Sequence, residues 1–309
     1  MRIIFFGTPD FAVSSLNALL ECGENILSVV TQPDRVKGRG HALSEPPVKE
    51  FALSKGIAVL QPSQIKSPSF AEELKTLSPD VIVVVAYGKI IPGSIIKLPP
   101  LGCVNVHASL LSKYRGAAPV QWALINGETR TGVTTMLMDE GLDTGGILLQ
   151  EETEIKDEDT AYSLGIRLSR IGASLLCKTL KGLRDGSIHP RPQTGTPTYA
   201  PPLKKEDGKI EWSLPAKKIF DLIRGTYFWP GAHCYLNGER VTVMKAGVID
   251  MDEGVAGRIE KISEEGFSVG TGKGLLSVAE VKPEGKRSMP ASAFAHGRNL
   301  KKGVFFDVS

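Results

Sequence analysis

The run Val81–Ala86 (VIVVVA) is apolar at every position. It is far too short to cross a bilayer, which takes about 20 such residues. It is also too continuous for a strand with one wet face, where polar and apolar residues alternate. The remaining solution is a strand covered on both sides of a sheet. Arg2–Phe6 (RIIFF), ended by Gly7, reads the same way. Around these two runs strand-like and helix-like segments alternate. A helix opens at Thr8 or Asp10 and carries Phe11, Leu16, Leu19 and Leu20, and Ile26–Thr31 is a strand. Pro46–Ser54 is a helix with proline in its first turn, Ile57–Leu60 a short strand, and Phe70–Leu77 a polar helix. Val104–His107 and Gly132–Met138 are further strands. The pattern predicts an α/β domain with a Rossmann-like, mostly parallel sheet. A dinucleotide site places G-x-G-x-x-G after the first strand; the stretch GTPDFA offers only Gly7, and no Walker A motif is present.

A chain of 309 residues exceeds what one core usually supports, so two domains are expected. Ile188–Asp207 holds five prolines among polar residues, as an extended connector would. The division this suggests is 1–189, a linker over 190–207, and a second domain over 208–309. Beyond the linker, a helix lies between Pro215 and Arg224, and short β-prone segments follow at Gly238–Lys245, Gly257–Ile262, Gly266–Gly270 and Leu275–Val281. Several short strands in about 100 residues predict a small OB-like β-barrel. Residues 1–207 carry 22 basic and 22 acidic side chains, and residues 208–309 carry 15 against 12, so the net charge of +3 arises in the last third. Lys282, Lys286, Arg287, Arg298, Lys301 and Lys302 make that part a candidate surface for a polyanion. Tyr227 and Trp229 in GTYFWPG read as packing residues at a domain junction. Cys22, Cys103, Cys177 and Cys234 are too widely spaced for a metal or disulfide framework and read as reduced thiols. Only Ile3–Phe6 separate Arg2 from Gly7, too little for a signal-peptide core. A cytoplasmic, monomeric protein without membrane segments is therefore expected.

Chemistry-bearing residues concentrate between Leu101 and Gly146. In CVNVHAS, Asn105 and His107 stand two apart on a predicted strand and so share a face. They lie near its C-terminal end, where open α/β sheets place ligands. A donor amide beside an imidazole suits acyl transfer, in which a carbonyl oxygen gains charge while an amine loses a proton. Downstream, MDEGLDTGG supplies Asp139, Glu140 and Asp143 among glycines that permit a tight turn, so Asp143 can come back toward His107. No nucleophile completes a relay, since Ser109 lacks a G-x-S-x-G elbow. The residue pattern alone leaves two readings open: a catalytic trio, or a structural histidine beside an ordinary acidic turn.

SLLSKYRGAAPVQWALINGE, with NVH before it and GVTTMLMDEGLDTG after it, resembles the folate-binding signature of the formyltransferases. RIIFFGTPDFA, TQPDRVKGRG, VVVAYGKIIP and FWPGAHCYLNGERVTVMKA extend the likeness over essentially the whole chain, toward the branch that acts on charged initiator tRNA. This resemblance implies transfer of the formyl group of 10-formyltetrahydrofolate to the α-amine of methionyl initiator tRNA, without a metal. It implies Asn105, His107 and Asp143 as catalytic residues. Ser109, Leu110, Leu111 and Ser112 would contact the folate, and Ala86, Tyr87 and Gly88 would line its pterin pocket. Arg35, Lys37 and Arg39 in DRVKGRGH would recognise the acceptor stem. The family usually has proline where this chain has Ser112, which frees a φ angle and adds an N–H. Three rivals remain: formylation of a small amine, which needs neither the basic loop nor residues 208–309; formylation of a sugar nucleotide, which lacks TQPDRVKGRG; and a catalytically inert folate- or RNA-binding protein, against which the retained trio argues.

Overall fold

A computed structural model describes residues 1–37, 42–251 and 254–307, with 36, 37, 42 and 43 as backbone only. By contact the chain forms two compact units. The first holds residues 1–119, 130–154 and 165–201; the second holds 120–129, 155–164 and 202–309. The expected connector is thus divided, 190–201 going with the first unit and 202–207 with the second.

The first unit is built on seven strands: β1 (Arg2–Gly7), β2 (Asn25–Val30), β5 (Val59–Leu60), β6 (Val81–Val85), β7 (Cys103–His107), β8 (Arg130–Leu137) and β9 (Gly146–Glu154). Their order is β5-β2-β1-β6-β7-β8-β9. The five strands from β5 to β7 are parallel, and β8 and β9 are antiparallel. All of β6, and β1 from Ile3 to Gly7, are buried because helices cover both faces. On one face Ile4, Phe6, Ile82 and Val84 pack with Phe70 and Leu74 of α3 (Pro68–Thr76) and Ile95 and Ile96 of α4 (Gly93–Ile96). Each such side chain contributes about 1.5–3 kcal/mol, which is why the apolar runs fix these strands at the centre. On the other face lie α1 (Asp10–Glu21) and the long α6 (Ala161–Asp185), joined by Ser14 and Ser169 at 3.2 Å. Gly172 lets α6 approach closely: a Cβ there would stand 2.8 Å from Val106 of β7. The edge strand β9, unseen in the sequence, becomes charged over Gln150–Glu154, which protects an open edge. Between β2 and α2 (Pro47–Ser54), the two short strands β3 (Arg35–Lys37) and β4 (Ala42–Ser44) pair antiparallel, Arg35 opposite Ser44 and Lys37 opposite Ala42.

In the second unit, the predicted all-β module is an antiparallel sheet. Its order is β10 (His233–Leu236), β11 (Glu239–Ile249), β14 (Leu275–Pro283), β13 (Gly266–Gly270), β12 (Ile259–Ser263), with β15 (Met289–Pro290) added to β14. Ile219 and Ile223 of α7 (Ala216–Gly225), Phe294 of α8 (Ala291–Gly297), and Trp212, Phe267 and Phe306 fill its core. Earlier chain joins this unit through α5 (Pro119–Ile125) and residues 155–164. Buried Asp221 binds Arg224 at 2.8 Å, and Arg224 Nη1 donates to the Lys156 oxygen at 2.9 Å.

Candidate active site

The C-terminal ends of three parallel strands meet side by side, Gly7 opposite Val85 and Val84 opposite Asn105. Strand order reverses here: β1 is followed in sequence by β2 on one flank, and β6 by β7 on the other. Open α/β sheets bind ligands at such a switch point. On β7, Cys103 belongs to the core with Ile95 and Ile96. The alternation of the strand puts Asn105 and His107 in the same row, nearer the strand end. Both are buried, at 9% and 6% exposure.

His107 Nε2 lies 2.9 Å from the Tyr114 carbonyl oxygen. A carbonyl can only accept, so this nitrogen carries the proton of the neutral ring. The other nitrogen, Nδ1, faces Asp143 Oδ2 at 3.6 Å. A second proton on the ring would therefore meet a carboxylate. The sequence-predicted trio is brought together, two members by one strand and the third by a loop.

That loop is held by groups the sequence reading missed. Asp143 has φ +51°, a left-handed conformation that Asp tolerates better than most residues. Its Oδ2 accepts from the Gly116 N–H at 2.8 Å. Gln193 Nε2 donates to the main-chain oxygens of Asp143 at 2.7 Å and Gly145 at 2.9 Å, while its Oε1 accepts from Arg115 Nη2 at 2.6 Å. Gln193 sits in the proline-rich segment, which runs back along the site: Thr198 O accepts from Arg115 N, and Ala200 pairs with Arg115 and Ala118. The sole sequence signal for this role is that Gln193 interrupts prolines, which by itself assigns no partner.

The 109–112 loop is fixed by β8 and β9. The Thr134 hydroxyl donates to Ser109 O at 2.7 Å and accepts from Leu111 N at 3.1 Å. Gln150 Nε2 donates to Leu111 O at 2.8 Å. Ser109 is fully buried and spends its hydroxyl on Lys113 O, so it offers no nucleophile. Leu111 packs with Met136 and Ile147, and Leu110 with Gly132. The Leu111–Ser112 peptide is cis, and Ser112 Oγ donates to Thr194 O at 2.9 Å. The Ser112 hydroxyl thus ties this loop to the same proline-rich segment.

After β6, Ala86 is exposed and Gly88 faces open space, whereas the Tyr87 ring lies in the core, edge-on to Phe6 at 5.2 Å. Burial pushes the Tyr87 phenol up to about 12. What Tyr87 presents is backbone: its oxygen accepts from Thr8 Oγ1 and Gln32 Nε2. Lys97 pairs with Glu140 at 2.6 Å and so links α4 to the acidic loop. Exposed Ile90 and Leu142 lie on the loops after β6 and β8. Of the basic trio, Arg35 is exposed on β3, Lys37 is in β3, and Arg39 lies outside the described residues. The start of that hairpin is anchored by Asp34, which binds Gln61 Nε2 and Lys49 Nζ, each at 2.7 Å. These bonds, Gln61's first, hold the Asp34 carboxyl below its ordinary range.

Two family models match the chain, Formyl transferase over residues 1–180 and Formyl transferase, C-terminal domain over 202–299. A methionyl-tRNA formyltransferase of Thermodesulfovibrio yellowstonii is 54% identical over 302 residues, 98% of this chain and 97% of that protein. The chain belongs to the methionyl-tRNA formyltransferase family. Another member, from Pelotomaculum thermopropionicum, is 50% identical over 98% of each chain. Membership of this formyltransferase family makes the protein an enzyme of one-carbon group transfer. Its fold recurs in WlaRD, a sugar 3N-formyl transferase (TM-score 0.67, 20% identity, 93% of this chain and 99% of that one). It recurs also in HypX from Aquifex aeolicus, solved with tetrahydrofolic acid (TM-score 0.65, 17% identity, 100% of this chain and 51% of that one). No helix among the described residues of this formyltransferase is long and apolar enough to cross a membrane.

Proposed function

We infer that the enzyme moves the formyl group of 10-formyltetrahydrofolate to the α-amine of methionyl initiator tRNA, with Asn105, His107 and Asp143 acting on the reacting atoms. The observation that carries this reading is the approach of Asp143 Oδ2 to His107 Nδ1, 3.6 Å, at the C-terminal end of β7, one strand from the switch point of the sheet. Exposed Ala86, open Gly88 and apolar Ile90 and Leu142 fit a flat heterocycle with polar edges. Ala86, Tyr87 and Gly88, through their backbone, and Ser109, Leu110, Leu111 and Ser112 would hold that folate. When bound, it supplies an activated formyl carbon.

An α-amino group titrates near 7.7–8.0 in model compounds, so a useful fraction is neutral and nucleophilic at pH 7. The Asn105 amide and, once protonated, His107 Nδ1, the ring nitrogen not bonded to Tyr114 O, donate toward the charge gathering on the formyl oxygen. Asp143 keeps that ring oriented. His107, or a water held by Asp143, moves the proton lost by the amine to the nitrogen that leaves. Arg35, Lys37 and Arg39 contact the acceptor stem, and residues 208–309 add a basic surface to a catalytic domain over 1–189. The enzyme works as a cytoplasmic monomer.

The test is transfer from 10-formyltetrahydrofolate to charged initiator tRNA, with uncharged tRNA and free methionine as controls. Formylation confined to the charged tRNA is expected. Equal efficiency on free methionine would overturn the assignment.

A further inference from the structure

Aromatic side chains of the second unit cluster at its surface, in the stretch GTYFWPG and at Tyr162. Tyr162 meets Phe228 edge-on, with ring centroids 5.6 Å apart, and Phe228 leans on Tyr227 at 4.3 Å. Trp229 follows directly. Tyr162, Phe228 and Trp229 are 59%, 65% and 55% exposed, so Trp229 is no packing residue as its sequence context suggested. Phe228 has φ +68°, a conformation bulky residues rarely adopt and one that is kept where the surroundings enforce it. The base under the rings is firm. Buried Thr226 donates its hydroxyl to Leu222 O at 2.7 Å and accepts, at its main-chain oxygen, from Gly231 N at 3.0 Å. Arg240 Nη2 donates to Pro230 O at 3.2 Å. The core of the unit is filled by other aromatics, Trp212, Phe267 and Phe306. The surface rings are therefore ordered without being needed for packing.

Their occupant follows from size and charge. A buried aromatic residue removes about 150–250 Å² from water, so three half-exposed rings offer roughly 300 Å². That is well below the roughly 800 Å² per partner of a stable protein interface, but it suits one or two flat bases. One cation stands at the turn that carries the rings, Arg240, bonded to Pro230 O. The last third of the chain carries the molecule's whole positive excess, 15 basic against 12 acidic residues. Unpaired bases stack on aromatic faces beside positive charge with little regard to sequence.

We propose that Tyr162, Phe228 and Trp229 form a stacking platform for unpaired bases of the tRNA strand that carries the amino acid. This rests on the tRNA reading given above.

The test measures binding of labelled, uncharged initiator tRNA and of the same tRNA trimmed of its single-stranded 3′ end. The proteins are wild type, Phe228→Ala, Trp229→Ala and Trp229→Phe, each checked for an unchanged melting curve. Loss of one stacked base weakens binding about 5- to 150-fold. Both alanine variants are expected to lose affinity within that range for the intact tRNA only, with folate KM unchanged and most affinity kept by Trp229→Phe. Unchanged affinity for intact tRNA overturns the platform. So does an equal loss for the trimmed tRNA, or an altered oligomeric state in the alanine variants, which would assign the rings to a second copy. Failure of the wild type to bind either RNA is separately visible and removes the tRNA reading together with the platform.

Discussion

Gln193 donates its side-chain amide to the main-chain oxygen of Asp143 at 2.7 Å, across fifty positions of sequence. One side chain in a proline-rich stretch thereby sets where the carboxylate beside His107 stands. Because Gln193 touches only backbone oxygens and Arg115, it is a positioning residue.

Gln193→Ala should lower kcat by about 10- to 100-fold, since displacement of about 1 Å can cost that much, and leave KM for tRNA near its wild-type value. Gln193→Glu keeps the acceptor for Arg115 but has no N–H for Asp143, and should be equally impaired. A purely structural role would instead let Gln193→Glu recover activity along with stability. Gly116→Ala should act similarly, because its φ is +121° and a Cβ would stand 2.7 Å from Ala200 O.

Asn105→Ala and His107→Ala should each reduce kcat about 10²–10³-fold, the usual effect of removing a donor to a developing oxyanion. Asp143→Asn retains an acceptor for the Gly116 N–H but no charge for His107. It should fold normally and lose turnover. Near-normal single-turnover rates in all three variants would rule out the proposed chemistry.

Arg35→Ala and Arg39→Ala should raise KM for tRNA and leave folate KM alone. If each removes one phosphate contact, the slope of log affinity against log salt should shrink by about 0.7–0.9 per residue. An unchanged slope with weaker binding would mean the contact is not to phosphate.

Burial holds the His233 imidazole below its ordinary 6.5, and Arg240 and Lys209 push it the same way. The unfolded chain therefore takes up a proton near pH 6.5 while the folded chain stays neutral. This contribution to stability is complete above pH 6.5 and is lost as pH falls below it. Melting temperature should drop between pH 7.5 and 5.5, and His233→Gln should flatten that drop. Glu260, held low chiefly by Arg258, acts only below its ordinary 4.5, a separate window.

Burial raises the Cys103 thiol to about 12 and Cys234 higher still, so neither should react with an aromatic disulfide reagent at pH 8 until the protein unfolds. Cys22 is exposed, and its sulfur lies 2.7 Å from that of Cys177. Burial also raises the Cys177 thiol to about 12, so at pH 8 it should leave reagent on Cys22 undisplaced. Mass spectrometry should show one stable adduct on Cys22; loss of two hydrogens with no adduct would contradict this.

The sequence by itself determined the sheet's centre and the shared face of Asn105 and His107. Continuous apolar runs permit only doubly covered strands, and a two-residue step on a strand fixes one face, both of which are local properties. It also pointed to a second, all-β module with the basic excess. Tertiary structure alone decided that Asp143 reaches His107 and that Gln193, Gly116 and Thr134 hold the two loops. It also buried Tyr87 and left Phe228 and Trp229 in water. Those outcomes depend on hydrogen bonds and packing between segments tens of residues apart, and no local pattern encodes which distant donor will satisfy a given backbone oxygen.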